Sequence, residues 1–106
     1  MSWIETQDVL DVLGLDQTGT VLDMCIAASE AQVPTWRDDI HVWELVKDAN
    51  PNVYLAGVQF AALIYQENVT PEGFAGFDEA GGLLFPPSSK QTAIRHLARA
   101  NRPKVG

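Results

Sequence analysis

The longest apolar run in the chain lies between Asn50 and Asn68, and its Val53, Tyr54, Leu55, Val58, Phe60, Leu63 and Ile64 fall on several helical faces rather than on one stripe. A helix that is apolar nearly all round is a buried one. Asn50 is placed as its N-cap, and Pro51 occupies the first helical position, where a missing N–H costs nothing. The pattern therefore predicts a central core helix over about residues 51–67, roughly 25 Å long. It falls short of the 20 or so apolar residues that a membrane span needs.

Shorter patterns precede it. Thr6 is placed to cap a first helix with Val9, Leu10, Val12 and Leu13 on its apolar side, and Gly14 is the glycine that ends it. Thr18 or Thr20 is placed to cap a second helix reaching toward Val33, with Leu22, Met24, Cys25, Ile26, Ala28 and Val33 as a broad face. Pro34 ends or kinks that helix. Within residues 35–49, Ile40 and Val42 alternate as in a short strand, whereas Trp43, Val46 and Ala49 suit a short helix. A helix after an acidic loop is the expectation, with Trp36 and Trp43 as core or interface anchors.

Beyond the central helix, Thr70-Pro71-Glu72-Gly73 has the residues of a turn. Phe74 to Phe77 and Leu83 to Phe85 then flank a connection containing Gly81 and Gly82, which predicts a short β-hairpin over about 74–85. Pro86 and Pro87 interrupt it. Ser88 with Gln91 has capping-box spacing and opens a C-terminal helix over about 89–101, with Ile94, Leu97 and Ala98 on one face. Arg95, Arg99 and Arg102 recur on another face, and Pro103 leaves a flexible basic tail over about 102–106. The fold class expected is mainly α: a single-domain small bundle around the central helix, with the hairpin and a C-terminal helix.

Composition adds bounds. A chain of 106 residues that is 46% hydrophobic can bury a core without disulfides or metal. Its one cysteine, Cys25, lies in an apolar pattern and reads as a small buried hydrophobe. The first residues have neither a basic region nor an uninterrupted apolar stretch, so no signal peptide is expected; the sequon letters Asn68-Val69-Thr70 then carry no weight.

Charge changes the picture more. Residues 1–79 hold all 14 acids against Arg37 and Lys47 alone, a balance of −12, whereas residues 80–106 hold Lys90, Arg95, Arg99, Arg102 and Lys104 with no acid, a balance of +5. Such asymmetry is an interaction signal. Its plain reading is a solvated basic helix end; its sharper one is docking onto the acidic body of a neighbouring copy or of another protein. A chain this acidic is a poor binder of nucleic acid.

Catalytic chemistry finds no foothold. His41 and His96 are not paired in any ligand spacing, and Asp38, Asp39, His41 and Glu44 read as a surface acidic loop rather than a metal cluster. No Gly-rich loop opens a helix with a lysine, and Ser88 and Ser89 lie beside no histidine motif. No enzyme activity, cofactor or metal is expected.

The stretch Leu63-Ile64-Tyr65-Gln66-Glu67-Asn68, followed by Thr70-Pro71-Glu72-Gly73-Phe74-Ala75-Gly76-Phe77, resembles the head–tail connector (adaptor, or head completion) proteins of long-tailed bacteriophages. There an apolar helix ends in a Leu-Tyr-x-x-x-Asn-like segment, then a Pro-x-Gly turn and Gly-Phe lead into a hairpin. The order and length of the other elements fit as well. The chain departs at Gln66 and Glu67, where family members often carry basic residues, and in the two tryptophans of residues 35–49. The resemblance implies a structural virion protein at the head–tail interface, present in the host cytoplasm during assembly. It would form a homo-oligomeric, twelve-fold ring under the portal, extend the DNA channel with DNA only as passing cargo, and meet a head-closure or tail protein, with no membrane partner. On this reading Arg95, Arg99, Arg102 and Lys104 dock the portal or a neighbouring subunit, and Phe74, Phe77, Leu83, Leu84 and Phe85 form an intersubunit hairpin. The rival expectation is a small acidic helical protein-binding or regulatory module, antitoxin- or inhibitor-like, without enzymatic activity.

Overall fold

A computed structural model describes residues 2–68 and 88–99, and all described regular structure is helical. The order is α1 (Thr6–Leu13), α2 (Thr20–Gln32), a 3-10 turn (Val33–Trp36), a second 3-10 turn (Trp43–Leu45), α3 (Val46–Ala49), α4 (Pro51–Asn68) and α5 (Ser88–Arg99). The hairpin expected over 74–85 and the tail over 102–106 lie outside the described residues.

Helix α4 is the centre of the bundle, packed against α1, α2, α3 and α5. Its Val53, Ala56, Phe60, Ala61 and Ile64 are fully enclosed, as an all-round apolar sequence requires. Leu55 is the exception, 43% exposed. Pro51 begins the helix, and the carbonyl of Asn50 accepts from the amides of Val53 and Tyr54 at 3.0 Å.

Gly57 is where α4 takes its closest neighbour. A Cβ there would stand 2.6 Å from Trp3 Cη2 and 3.1 Å from Ile4 Cδ1, so the absent side chain is the space that the Trp3 ring fills. Ser29 of α2 donates from Oγ to the Gly57 carbonyl at 2.7 Å, holding the two helices together inside the core. The segment before α1 is pinned from the same side. One carboxylate oxygen of Glu30 accepts from Ser2 Oγ and from the amides of Trp3 and Ile4, while Trp3 Nε1 donates to the Glu30 carbonyl at 3.2 Å.

Several local expectations need correction. Thr6 is the first residue of α1 rather than its cap; Glu5 holds the cap position and makes no side-chain capping bond. Likewise Gly19 precedes α2, and Thr18 spends its hydroxyl on the Asp23 carboxylate. Val12 and Met24, expected on apolar faces, are 53% and 38% exposed. Gly14 does end α1, at φ 71°, a left-handed conformation that a side chain would resist. Residues 35–49 are turn, acidic loop and short helix, with Trp36 buried against Phe60 at a centroid distance of 5.1 Å and Trp43 packed on Trp3 at the same distance.

Candidate functional site

The residues expected to dock a partner begin on α5, and the bundle holds that helix firmly at its C-terminal end. The last carbonyls of a helix have no partner within it. Here Asn52 Nδ2 donates to the Leu97 carbonyl at 2.9 Å, and Arg37 Nη1 donates to the Ala98 carbonyl at 2.6 Å. A guanidinium is the favoured partner at that end, where the helix dipole is negative. Arg37 is 3% exposed and is itself matched by Asp39, which accepts from Nε and Nη2 at 2.7 Å each in a two-pronged pair. The Asp39 carboxylate first of all, with Coulombic help from Asp38, raises the Arg37 pKa against the opposing effect of burial.

Arg37 and Asn52 bracket the acidic segment. Residues 38–51 therefore leave the α5 terminus at one clamp and return to it at the other; the arch they form packs on α4 and, through Trp43 and Lys47, on Trp3 and the start of α1. The arch carries Asp38, Asp39, Glu44 and Asp48, and its one cation is Lys47. Lys47 faces away toward α1, bonded to Glu5 at 2.9 Å and to Asp8 at 3.0 Å, with its ammonium 5.3 Å from the centre of the Tyr54 ring. Those two carboxylates raise its pKa. Val42 and Leu45 stand out from the arch, 46% and 55% exposed.

The predicted docking residues divide. Arg95 is half-buried, its guanidinium 5.3 Å from the centre of the Trp36 ring and bonded to Gln91 Oε1 at 2.9 Å, while its Nε is enclosed without a hydrogen-bond partner. Lys90 is paired with Glu67 at 2.7 Å, tying α5 to the end of α4. Arg99 is exposed at the last turn. Arg102, Lys104 and the hairpin residues Phe74, Phe77, Leu83, Leu84 and Phe85 lie outside the described residues.

Charge reading alone missed the roles of Arg37 and Lys47. Their signal was only that they are the two cations of a strongly acidic body, which marks them for pairing without saying with what.

Other chemistry-bearing groups have structural settings. Cys25 is wholly buried, and burial pushes its thiol up to about 11, away from reactivity. Among the described residues no three or more His, Cys, Asp or Glu side chains are grouped to hold a metal ion. A shallow groove of about 360 Å³ runs along Gln17 to Leu22 beside Tyr65, with no titratable side chain but the tyrosine on its walls. No described helix is long and apolar enough to cross a membrane. Comparison with protein-family models, with curated proteins and with solved structures finds no match for this chain.

Proposed function

We propose that this chain is a structural ring subunit of a phage head–tail interface, joining the portal above to a head-closure or tail protein below. The observation that carries the reading is an acidic arch bracketed by Arg37 and Asn52, which hold the last carbonyls of α5 just before the exposed Arg99. A ring built head-to-tail joins two different surfaces of the same subunit, so each copy must carry both halves of a complementary pair. The resemblance of residues 60–77 to connector proteins supports the same assignment, and an acidic body suits a channel through which DNA slides without adhering. Arg99, Arg102 and Lys104 dock the portal or the next subunit; Arg95 serves the subunit's own packing.

The test mixes the purified full chain with a long-tailed phage portal protein and looks for a ring by electron microscopy. A ring on the portal is expected, lost on Arg99→Glu with Arg102→Glu and weakened by salt. A chain that stays off the portal, or binds it indifferently to both changes, overturns the proposal.

A second reading has its own support. Val42 and Leu45 exposed among carboxylates make a surface for a basic, apolar-anchored protein partner. A one-to-one soluble complex with such a partner, and no ring, would favour a regulatory module instead.

A further inference from the structure

We propose that residues 2–5 form a strap over α2 and α4, and that strap and arch open and close as one unit latched by Lys47. The strap is held from outside itself. Among the described residues no backbone–backbone hydrogen bond involves residues 2–4. Instead the Trp3 and Ile4 amides donate to one Glu30 carboxylate oxygen, and Trp3 Nε1 donates to the Glu30 carbonyl. The Glu5 amide donates to the Tyr54 hydroxyl at 3.0 Å. The Trp3 ring fills the notch at Gly57 and meets Trp43 of the arch at a centroid distance of 5.1 Å. Lys47, further along the arch, takes hold of the strap again through Glu5 and continues to Asp8. The arch is no more self-supporting: α3 has four residues, a single turn, and Val46 is the one buried residue of 43–49.

Two segments without internal support, joined by a ring contact and an ion pair, lose both contacts when either lifts. Their openings are therefore coupled, and equally in both directions. The latch is the joint that solvent reaches. The side chains of Lys47, Glu5 and Asp8 are 46%, 63% and 32% exposed, and exposed pairs hold modestly and are screened by salt. Arg37, which brackets the arch at its other end, has a side chain only 2% exposed in its pair with Asp39. Ionic strength thus loosens the Lys47 side of the arch and leaves the Arg37 bracket in place. Lifting takes Trp3 out of the Gly57 notch and bares that face of α4, which makes the unit a salt-sensitive cover. The device belongs to the isolated subunit and does not rest on the ring reading.

Amide hydrogen exchange of the full chain, resolved by NMR and corrected for intrinsic rates, tests it. The reporters are the Trp3 and Ile4 amides, bonded to Glu30, and the Asn50 amide, bonded to the Val46 carbonyl at 2.8 Å. In the parent chain the three should share one opening constant within about twofold, and it should exceed that of Val58 and Phe60 in α4 by about tenfold or more. Lys47→Met should raise all three by a common factor of about three, the size an exposed ion pair warrants. Salt at 1 M, where the Debye length is about 3 Å, should do the same to the parent and nothing further to Lys47→Met. The last turn of α5, which opens without breaking this latch, should keep its rate in Lys47→Met. Glu30→Gln supplies the reciprocal arm: it lies on α2, loosens the strap alone, and should speed exchange at Asn50 about twofold or more. Reporters that open only with the α4 core, Trp3 and Ile4 unmoved by Lys47→Met, or Asn50 unmoved by Glu30→Gln would each overturn the proposal.

Discussion

Gly57→Ala separates helix propensity from tertiary packing. In an open helix interior this change stabilises by about 1 kcal/mol, because glycine gives up more backbone freedom than alanine. At this position the new Cβ would meet Trp3 Cη2 at 2.6 Å, Trp3 Cζ3 at 2.9 Å and Ile4 Cδ1 at 3.1 Å. Carbon atoms rest at about 3.5–4.0 Å, so the indole has to retreat by about 1 Å. It has little room to do so. Its ring lies 5.1 Å from that of Trp43 and 6.4 Å from that of Tyr54, and its Nε1 is bonded to the Glu30 carbonyl. Overpacking of this kind costs about 1–3 kcal/mol. Set against the propensity gain, the net expectation is a loss of about 1 kcal/mol. In a Trp3→Ala background both ring contacts are gone and only the flexible tip of Ile4, at 3.1 Å, has to give, so the same substitution should stabilise by up to about 1 kcal/mol. The two backgrounds should thus differ by about 2 kcal/mol, well outside the roughly 0.5 kcal/mol error of additivity. Urea unfolding of the four proteins, followed by far-UV circular dichroism, reads the difference as shifts in midpoint. Gly57→Ala stabilising the parent chain, or acting equally in both backgrounds, would refute the notch.

Arg37→Met should cost about 2 kcal/mol, since it removes the buried charged donor of the Ala98 carbonyl; hydrogen exchange should show the last turn of α5 opening first, and uniform protection along that helix would count against the clamp. Tyr54→Phe should cost about 1–2 kcal/mol at neutral pH by removing a hydroxyl that donates to Asp8 and accepts from the Glu5 amide. It should also flatten both ends of the stability–pH curve. The Tyr54 hydroxyl, and then Lys47, hold Asp8 below its ordinary 3.8, so that contribution is complete above pH 3.8 and fades as pH falls further. Burial, and then Asp8, push Tyr54 from 10 up to about 12, so its contribution is complete below pH 10 and fades as pH rises toward 12. Urea midpoints across pH check both limbs.

What could be read in advance was what local pattern determines. Helix α4 announced itself because Pro51 fixes its start and its apolar residues leave no solvent face to mistake for a stripe. Gly14 was legible for the same local reason, a small residue directly after the last apolar position of α1. The cap of α2 was ambiguous because Thr18 and Thr20 offer equal local chemistry, and Thr18 gives its hydroxyl to the Asp23 carboxylate instead. Illegible altogether were bonds between distant residues. Glu30 reaching back to Trp3 and Ile4, Ser29 reaching the Gly57 carbonyl, and Arg37 reaching Ala98 involve residue types that usually face water. Nothing within a window of ten residues distinguishes those members from solvated ones.

The charge division of the sequence changes meaning once the helices are in place. Counted along the chain, the basic end is one stripe of Arg95, Arg99 and Arg102 on a single helix face. In the fold, Arg95 is folded onto Trp36 and Gln91, and Lys90 is spent on Glu67, so the first half of α5 is tied inward. The body is sorted in the same way, with Arg37 serving Asp39 and the α5 terminus and Lys47 serving Glu5 and Asp8. Each of these cations removes some negative charge from contention and also removes itself. What remains exposed among the described residues is narrower than the sequence balance: Glu44 and Asp48 with the aliphatic tips of Val42 and Leu45 on one side, and Arg99 on the other. Arg99 directly follows the two carbonyls that Arg37 and Asn52 hold still. Substitutions at Arg95, by contrast, would disturb the fold before they disturbed any recognition.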